Sequence, residues 1–164
     1  MSTDDPRLRV VCDCMIFLQA TASESGPATA ILRLVDGNSI SLFVSREILD
    51  EVRDVLSRSK VQKKNPDITS ERIDALLTRV SDKASLVDAV PQHFSFVRDP
   101  KDEKYLNLAI DVAADYLVSR DRDLLDLMTG NGDECKDFRR RFGSIKVMGP
   151  VEFLKSVELE ESKE

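Results

Sequence analysis

The chain has 164 residues, 41% hydrophobic and 33% charged, the balance of one ordinary globular domain with a substantial core. No apolar run approaches the length a bilayer requires, and the acidic, polar start MSTDDPR does not read as an export signal, so a cytoplasmic protein without membrane contact is expected. A net charge of −6 is not the usual profile of a nucleic-acid binder, yet Arg58, Lys60, Lys63 and Lys64 form one basic run and Arg139, Arg140 and Arg141 another.

In chain order, Arg9 to Asp13 (RVVCD) is a short apolar run of the kind buried on both faces of a parallel sheet. A small-residue loop should follow, with Gly26-Pro27 introducing a helix through ATAILRLV that stops near Asp36-Gly37. Ser39 to Val44 reads as a second strand, and Ser45 as the cap of a helix with Ile48, Leu49, Val52, Val55 and Leu56 at helical spacing. The polar, basic SRSKVQKKNPDIT should be an exposed connection. Thr69 then caps a helix that puts Ile73, Leu76, Leu77 and Val80 on one face.

Between Ala84 and Val97, SLVDAV and HFSFV both read as extended, and either fits as the sheet strand. Asp99-Pro100 starts a helix, Asp as cap and Pro in the first turn, running through YLNLAIDVAA. Tyr116 to Val118 is a strand, and Asp121 begins a short helix through LLDLM. A Gly/Asn turn and KDFRRRF lead to a last strand, Ser144 to Met148. A final helix, Val151 to Val157, precedes a charged tail over 158–164 that should fray.

Strands alternating with helices imply an α/β fold, a three-layer α/β/α sandwich around a roughly five-stranded parallel sheet with right-handed crossovers. One domain over 1–164, with its core at about 8–157, accounts for the chain. Ligands of such folds bind beyond the carboxyl ends of the strands, where strand order reverses.

Several chemistries are poorly supported. Cys12 and Cys14, two apart on the expected strand, face the same way, but no second pair completes a zinc site, and Cys135 leaves an odd count. Small thiols in a reducing cytosol are the simpler reading. A single histidine, His93, and the absence of tryptophan argue against triads and histidine-rich metal sites.

The acids are more informative. Asp13 and Asp121 end strands at the edge where ligands bind. On the helix after Asp99, Asp102 falls near the centre of the stripe Tyr105, Leu106, Ala109, Ile110 and Ala113, while Glu103, Lys104, Asn107 and Asp111 point elsewhere. Glu51 flanks the apolar stripe of its helix. Asp123 is either an accessory acid or a dipole partner in its first helical turn, and Asp99 reads as a cap. Like charges gathered in one cleft repel and resist desolvation, and a divalent cation is the usual remedy. The expected chemistry is that of a metal-dependent phosphodiesterase, a ribonuclease first of all.

The stretches VVCDCMIFLQA, VSREILDEVRDVL, RDPKDEKYLNLA and ADYLVSRDRDLLDL, in this order across most of the chain, resemble the PIN-domain family, particularly its PIN-type, VapC-like toxin branch. The resemblance implies Asp13, Glu51, Asp102 and Asp121 as the catalytic acids and Asp123 as accessory. It also implies Mg²⁺ or Mn²⁺ in an acidic pocket, held by Asp13, Asp102 and Asp121. The activity implied is endonucleolytic cleavage of RNA by a metal-activated water, by a homodimer that is the toxin of a toxin–antitoxin pair. Lys104, Arg120 and Arg122 are candidates to bind the phosphate backbone, with the Arg139–Arg141 run a further steering element.

The family's first motif usually reads Asp-Thr-Asn. Here Asp13-Cys14-Met15 lacks those polar supports, and Ser119 either supplies a replacement hydroxyl or caps the short helix, the commoner role. The departure keeps a rival reading open, a nuclease-inactive PIN-fold module that binds a protein partner or RNA. A phospho-acceptor receiver domain would need a lysine at the end of the last strand, where VMGP has none. A haloacid-dehalogenase-type phosphatase would need a second Asp where Met15 stands.

Overall fold

The computed structural model describes residues 5–162. Five strands, β1 (Leu8–Cys12), β2 (Ile40–Ser45), β3 (Ser85–Val87), β4 (Tyr116–Val118) and β5 (Lys146–Met148), form one sheet in the order β3-β2-β1-β4-β5. Every pairing is parallel, with Val11 opposite Phe43 on one side of β1 and Leu117 on the other. All six residues of β2 and the last three of β1 are buried, the pattern of strands covered by helices on both faces. This is the expected α/β/α sandwich.

The helices are α1 (Cys14–Ala22), α2 (Pro27–Asp36), α3 (Arg46–Leu56), α4 (Ser59–Lys64), α5 (Ser70–Lys83), α6 (Glu103–Asp111), α7 (Arg122–Leu125), α8 (Asp133–Phe142) and α9 (Pro150–Ser162). Single 3₁₀ turns, Pro100–Asp102 and Asp126–Met128, lead into α6 and out of α7. The caps expected at Ser45 and Thr69 are present, their hydroxyls accepting from Ile48 N at 3.1 Å and Arg72 N at 3.2 Å. Pro27 opens α2 as its first residue.

Several expectations are corrected. The loop expected after Asp13 is helix α1, which buries Cys14, Ile16, Phe17, Leu18 and Thr21. It is apolar nearly all round, so it has no polar face to reveal a helical period. Cys12 and Cys14 therefore do not share a strand, since β1 ends at Cys12. The basic connection contains the one-and-a-half-turn α4, with no buried residue. The KDFRRRF segment is helical, part of α8, anchored by only Cys135 and Phe138. Helix α9 continues to Ser162, so the tail expected to fray is helical from 158 to 162; 163–164 lie outside the described residues.

Of the two extended candidates, SLVDAV supplies β3. HFSFV stays outside the sheet because side chains, not a strand, satisfy its backbone. The Asn107 amide oxygen accepts from His93 N at 2.6 Å and Phe94 N at 2.9 Å, and Glu103 accepts from Phe96 N at 2.8 Å. Asn107, expected to point away from the buried stripe, is buried for this purpose. Phe94 and Phe96 enter the core, and residues 88–99 become a strap along α6 that delivers Asp99 to the carboxyl edge of the sheet.

The chain moves from β1 through β2 to β3, then crosses back so that β4 lies on the other side of β1. The reversal falls between the carboxyl ends of β1 and β4, the position where folds of this type bind ligands. Asp13 and Ser119 stand at those two ends. Among the described residues no helix is long and apolar enough to cross a membrane.

Candidate active site

A cleft of ≈ 880 Å³ opens at this reversal, and Asp13, Glu51, Asp102 and Asp121 all line it. Four acids proposed from four separate segments are therefore brought together. Arg58, Lys60, Lys64, Lys101 and Arg120 line the same cleft, as do the apolar Met15, Leu18, Val55 and Val61.

Asp13 follows β1 directly and caps α1, its Oδ1 accepting from Ile16 N at 3.2 Å. Its other oxygen accepts from the Ser119 hydroxyl. Ser119 also accepts from Asp121 N at 2.9 Å, so of the two roles weighed for it the hydroxyl beside Asp13 is the one present, while the cap of α7 is Asp121. Burial pushes the Asp13 carboxyl up to about 6, against the hydrogen bonds from Ser119 and Ile16; the Asp121 charge adds to the rise.

Glu51 comes from α3 and has both oxygens taken. The Tyr105 hydroxyl donates to Oε1, and Lys104 Nζ lies 2.7 Å from Oε2. The same hydroxyl accepts from Cys14 N at 3.1 Å, which ties the residue after Asp13 to Glu51. Burial, then the Glu51 and Asp13 charges, push the Cys14 thiol up to about 12, so it is no nucleophile at neutral pH. Cys12 and Cys135 are buried free thiols as well.

Asp102 ends the 3₁₀ turn before α6. Its Oδ2 is buried and has no hydrogen-bond partner. Burial raises its pKa, helped by Asp121 and then Asp99. Asp99 caps this turn as expected, accepting from Lys101 N at 3.2 Å. It also does something the sequence did not suggest: carboxylate oxygens of Asp99, Asp121 and Asp123 lie within 4.8 Å of one another. Asp121 caps α7 by accepting from Asp123 N at 2.8 Å, and Asp123 accepts from Arg98 Nε at 2.6 Å.

A cluster of like charges around an unpartnered buried oxygen is what a divalent cation would relieve, and an all-oxygen donor set suits Mg²⁺ or Mn²⁺. The residues present therefore fit such an ion.

The basic candidates divide. Arg120 is exposed and lines the cleft. Arg122 is exposed on α7 and, among the described residues, is not in the cleft lining. Lys104 is engaged with Glu51. Among the described residues the Arg139–Arg141 run is not in the cleft lining. Arg139 donates to the carbonyls of Leu127 and Gly130, Arg140 and Arg141 pair with Asp137, and Arg141 lies over the Phe142 ring. The Arg58 to Lys64 run instead flanks the cleft through Arg58, Lys60 and Lys64. Sequence periodicity missed Tyr105 and Lys104 as partners of Glu51, because it reports which face a residue is on and not what its polar end meets.

The family model described as PIN domain matches residues 9–123, from β1 through Asp123. The chain is also similar to an uncharacterized protein of Methanocaldococcus jannaschii, with 28% identity over 152 residues covering 93% of each chain.

Proposed function

Because the chain belongs to the PIN-domain family and so has a nuclease-type fold, we propose that it is a Mg²⁺- or Mn²⁺-dependent endoribonuclease. The observation that carries this reading is the convergence of Asp13, Glu51, Asp102 and Asp121 on one cleft around the unpartnered Oδ2 of Asp102. Asp13, Asp102 and Asp121 would hold the cation, directly or through water. When bound, such a cation lowers the pKa of water and offsets charge building on phosphate oxygens.

The chain's own groups orient the reaction. Ser119 and Ile16 N fix the Asp13 carboxylate, and Tyr105 with Lys104 fixes Glu51, which orients the attacking water. Arg120, Lys101 and the α4 cations stand around the cleft to draw in the phosphate backbone; Lys104 would join them on leaving Glu51, and Arg122 from the surface of α7. In-line attack by water, not by the ribose 2′-hydroxyl, leaves 5′-phosphate and 3′-hydroxyl ends.

A cytoplasmic homodimeric toxin restrained by an antitoxin is the setting that the family resemblance suggests. The nuclease-inactive rival drew on the missing polar supports beside Asp13. Ser119 on Asp13 and Tyr105 on Cys14 N supply hydrogen bonds there from other segments, which favours the enzyme.

The test is cleavage of labelled structured RNA by the purified protein with Mn²⁺, Mg²⁺ or EDTA, beside Asp13→Asn and Asp102→Asn. Metal-dependent cutting that both substitutions abolish supports the proposal. Inactivity of the folded protein with no metal binding, or 2′,3′-cyclic phosphate products, would overturn it.

A further inference from the structure

The cleft that holds the four acids is not polar throughout. Helix α1 starts beside Asp13, and its residues Met15, Leu18 and Gln19, at i, i+3 and i+4, share one face that lines the cleft. Val55 from the end of α3 and Val61 from α4 line it too. Met15 is 47% exposed. Apolar side chains gathered in a concave site, with a few polar groups among them, are the usual lining for the flat, largely apolar face of a ligand. One such polar group is present. Gln19 Oε1 is buried and has no hydrogen-bond partner, and an acceptor left so carries a desolvation cost that a donor would remove. The half-buried Gln19 stands where the cleft meets a hollow of ≈ 280 Å³, the two spaces sharing Leu18, Gln19, Asn65 and Arg120. No protein donor holds its oxygen in place. Lys60, Lys64 and Arg120, all exposed, line the same cleft.

We infer that this part of the cleft is a nucleobase subsite and that Gln19 selects the base. An unpaired base lies against Met15, Leu18, Val55 and Val61, and Gln19 reads its edge, while Lys60, Lys64 and Arg120 meet the neighbouring phosphates. The orphaned atom is an acceptor, so the matching edge puts an exocyclic amino donor beside a ring nitrogen that the amide N–H can reach. Adenine and cytosine have that edge and uracil does not. An apolar protein segment on the same wall would leave the amide oxygen and the cations without partners. A nucleotide satisfies wall, oxygen and charge together. The inference rests on the ribonuclease reading for its substrate, but not on the metal.

The experiment is fluorescence anisotropy of the full chain in EDTA with labelled RNA decamers of A, of C, of U and of abasic sugar-phosphate. The proteins are the wild type, Gln19→Leu and Met15→Ala. The wild type should bind the A and C decamers about tenfold more tightly than the U decamer, the scale of one well-paired base edge, and the abasic decamer more weakly still. Gln19→Leu keeps the helix and the size of the side chain, and should bind A, C and U alike, at the wild-type affinity for U. Met15→Ala should weaken all three and leave the abasic decamer unchanged. If Gln19→Leu does not fold, the abasic comparison and Met15→Ala decide. A preference for A and C that survives in Gln19→Leu, or abasic RNA bound as tightly as the A decamer, would overturn the subsite. So would a wild type that binds none of the four, and a dimer that Met15→Ala dissociates would then give the wall to a second copy of the chain. Adding MnCl₂ to the same decamers reads the nuclease separately. Selective binding without cutting would overturn the metal-dependent reading alone, and cutting without selectivity would overturn the subsite alone.

Discussion

The Ser119 hydroxyl donates to Asp13 across the seam between β1 and β4 while accepting from Asp121 N at 2.9 Å. One fully buried side chain thus links the acids that end two neighbouring strands. Through it, the spacing of Asp13 and Asp121 follows from the Cys12–Val118 register of the sheet and not from loop conformation.

Removing that hydroxyl should be costly in two ways. Ser119→Ala leaves a buried carboxylate oxygen and the Asp121 N–H without their partner, which should lower stability by about 1–3 kcal/mol at neutral pH. Mn²⁺ affinity should fall by about tenfold or more, because the Asp13 carboxylate loses its orientation. Urea unfolding and metal titration read the two effects. Wild-type values in both would show that the link is incidental.

Asp13 also sets a direction for pH. Its carboxyl is raised from an ordinary 3.8 to about 6, chiefly by burial. Between these values the unfolded chain has released the proton and the folded chain still holds it, so metal-free stability should fall as pH rises from about 4 to about 6. Two pH units correspond to about 3 kcal/mol. Asp102, also raised, pushes in the same direction. In EDTA, Asp13→Asn should flatten the fall over this window and be the more stable protein at pH 8. Denaturant midpoints across pH 4–8 would refute this if wild type and variant ran parallel.

Tyr105 makes a separable case. Its hydroxyl joins Cys14 N to Glu51, and Tyr105→Phe keeps the buried ring while dropping both bonds. Stability should fall by about 1–2 kcal/mol. RNA cleavage should fall tenfold or more through loss of Glu51 orientation, with Mn²⁺ affinity close to the wild type. A variant that loses metal affinity as steeply as activity would mean that Glu51 is itself a direct ligand.

Much of this geometry was legible in the sequence, for identifiable reasons. Strand β4 and the caps at Ser45, Thr69, Asp99 and Asp121 are written in local chemistry, and Tyr105, Leu106 and Ala109 of the expected stripe are buried, although α6 ends at Asp111 and leaves Ala113, expected in the same stripe, exposed. Helix α1 was hidden because burial on nearly all sides erases the period, and α8 because its heavily charged DECKDFRRRF reads as a polar connection. Asp99 was visible as a cap only. Its place beside Asp121 and Asp123 needs β4 and α7 alongside it, and sequence spacing does not report neighbours brought in by a crossover. The arginines of α8 look alike in sequence, yet backbone carbonyls and Asp137 occupy them, while the shorter α4 keeps its lysines at the cleft.

Those lysines should matter to binding and not to folding. Lys60 and Lys64 are exposed and line the cleft. Lys60→Ala with Lys64→Ala should weaken single-stranded RNA binding in EDTA and reduce the slope of log K against log salt by roughly 1–2, as expected for two lost phosphate contacts. The melting temperature should hold. Fluorescence anisotropy at several salt concentrations measures the slope, and an unchanged slope would remove α4 from the proposed RNA path.

The strap over 88–99 gives the prediction that ties fold to site. Its hold on α6 is concentrated in Asn107, which accepts from His93 N and Phe94 N and donates to the carbonyls of Phe94 and Glu103. Asn107→Ala strands buried backbone groups on both sides and should lower stability by about 2–4 kcal/mol. Loss should be local first, because Phe94 and Phe96 still anchor the strap while the backbone between them is released. Amide exchange at residues 93–99 should therefore accelerate well beyond that of β1 and β2. Mn²⁺ affinity should drop in the same variant, since the strap is one of the two segments that place Asp99 beside Asp121 and Asp123, the other being the 3₁₀ turn it caps. Uniform acceleration across the sheet would instead make Asn107 a global core residue. Local acceleration with metal affinity intact would separate the strap from the site.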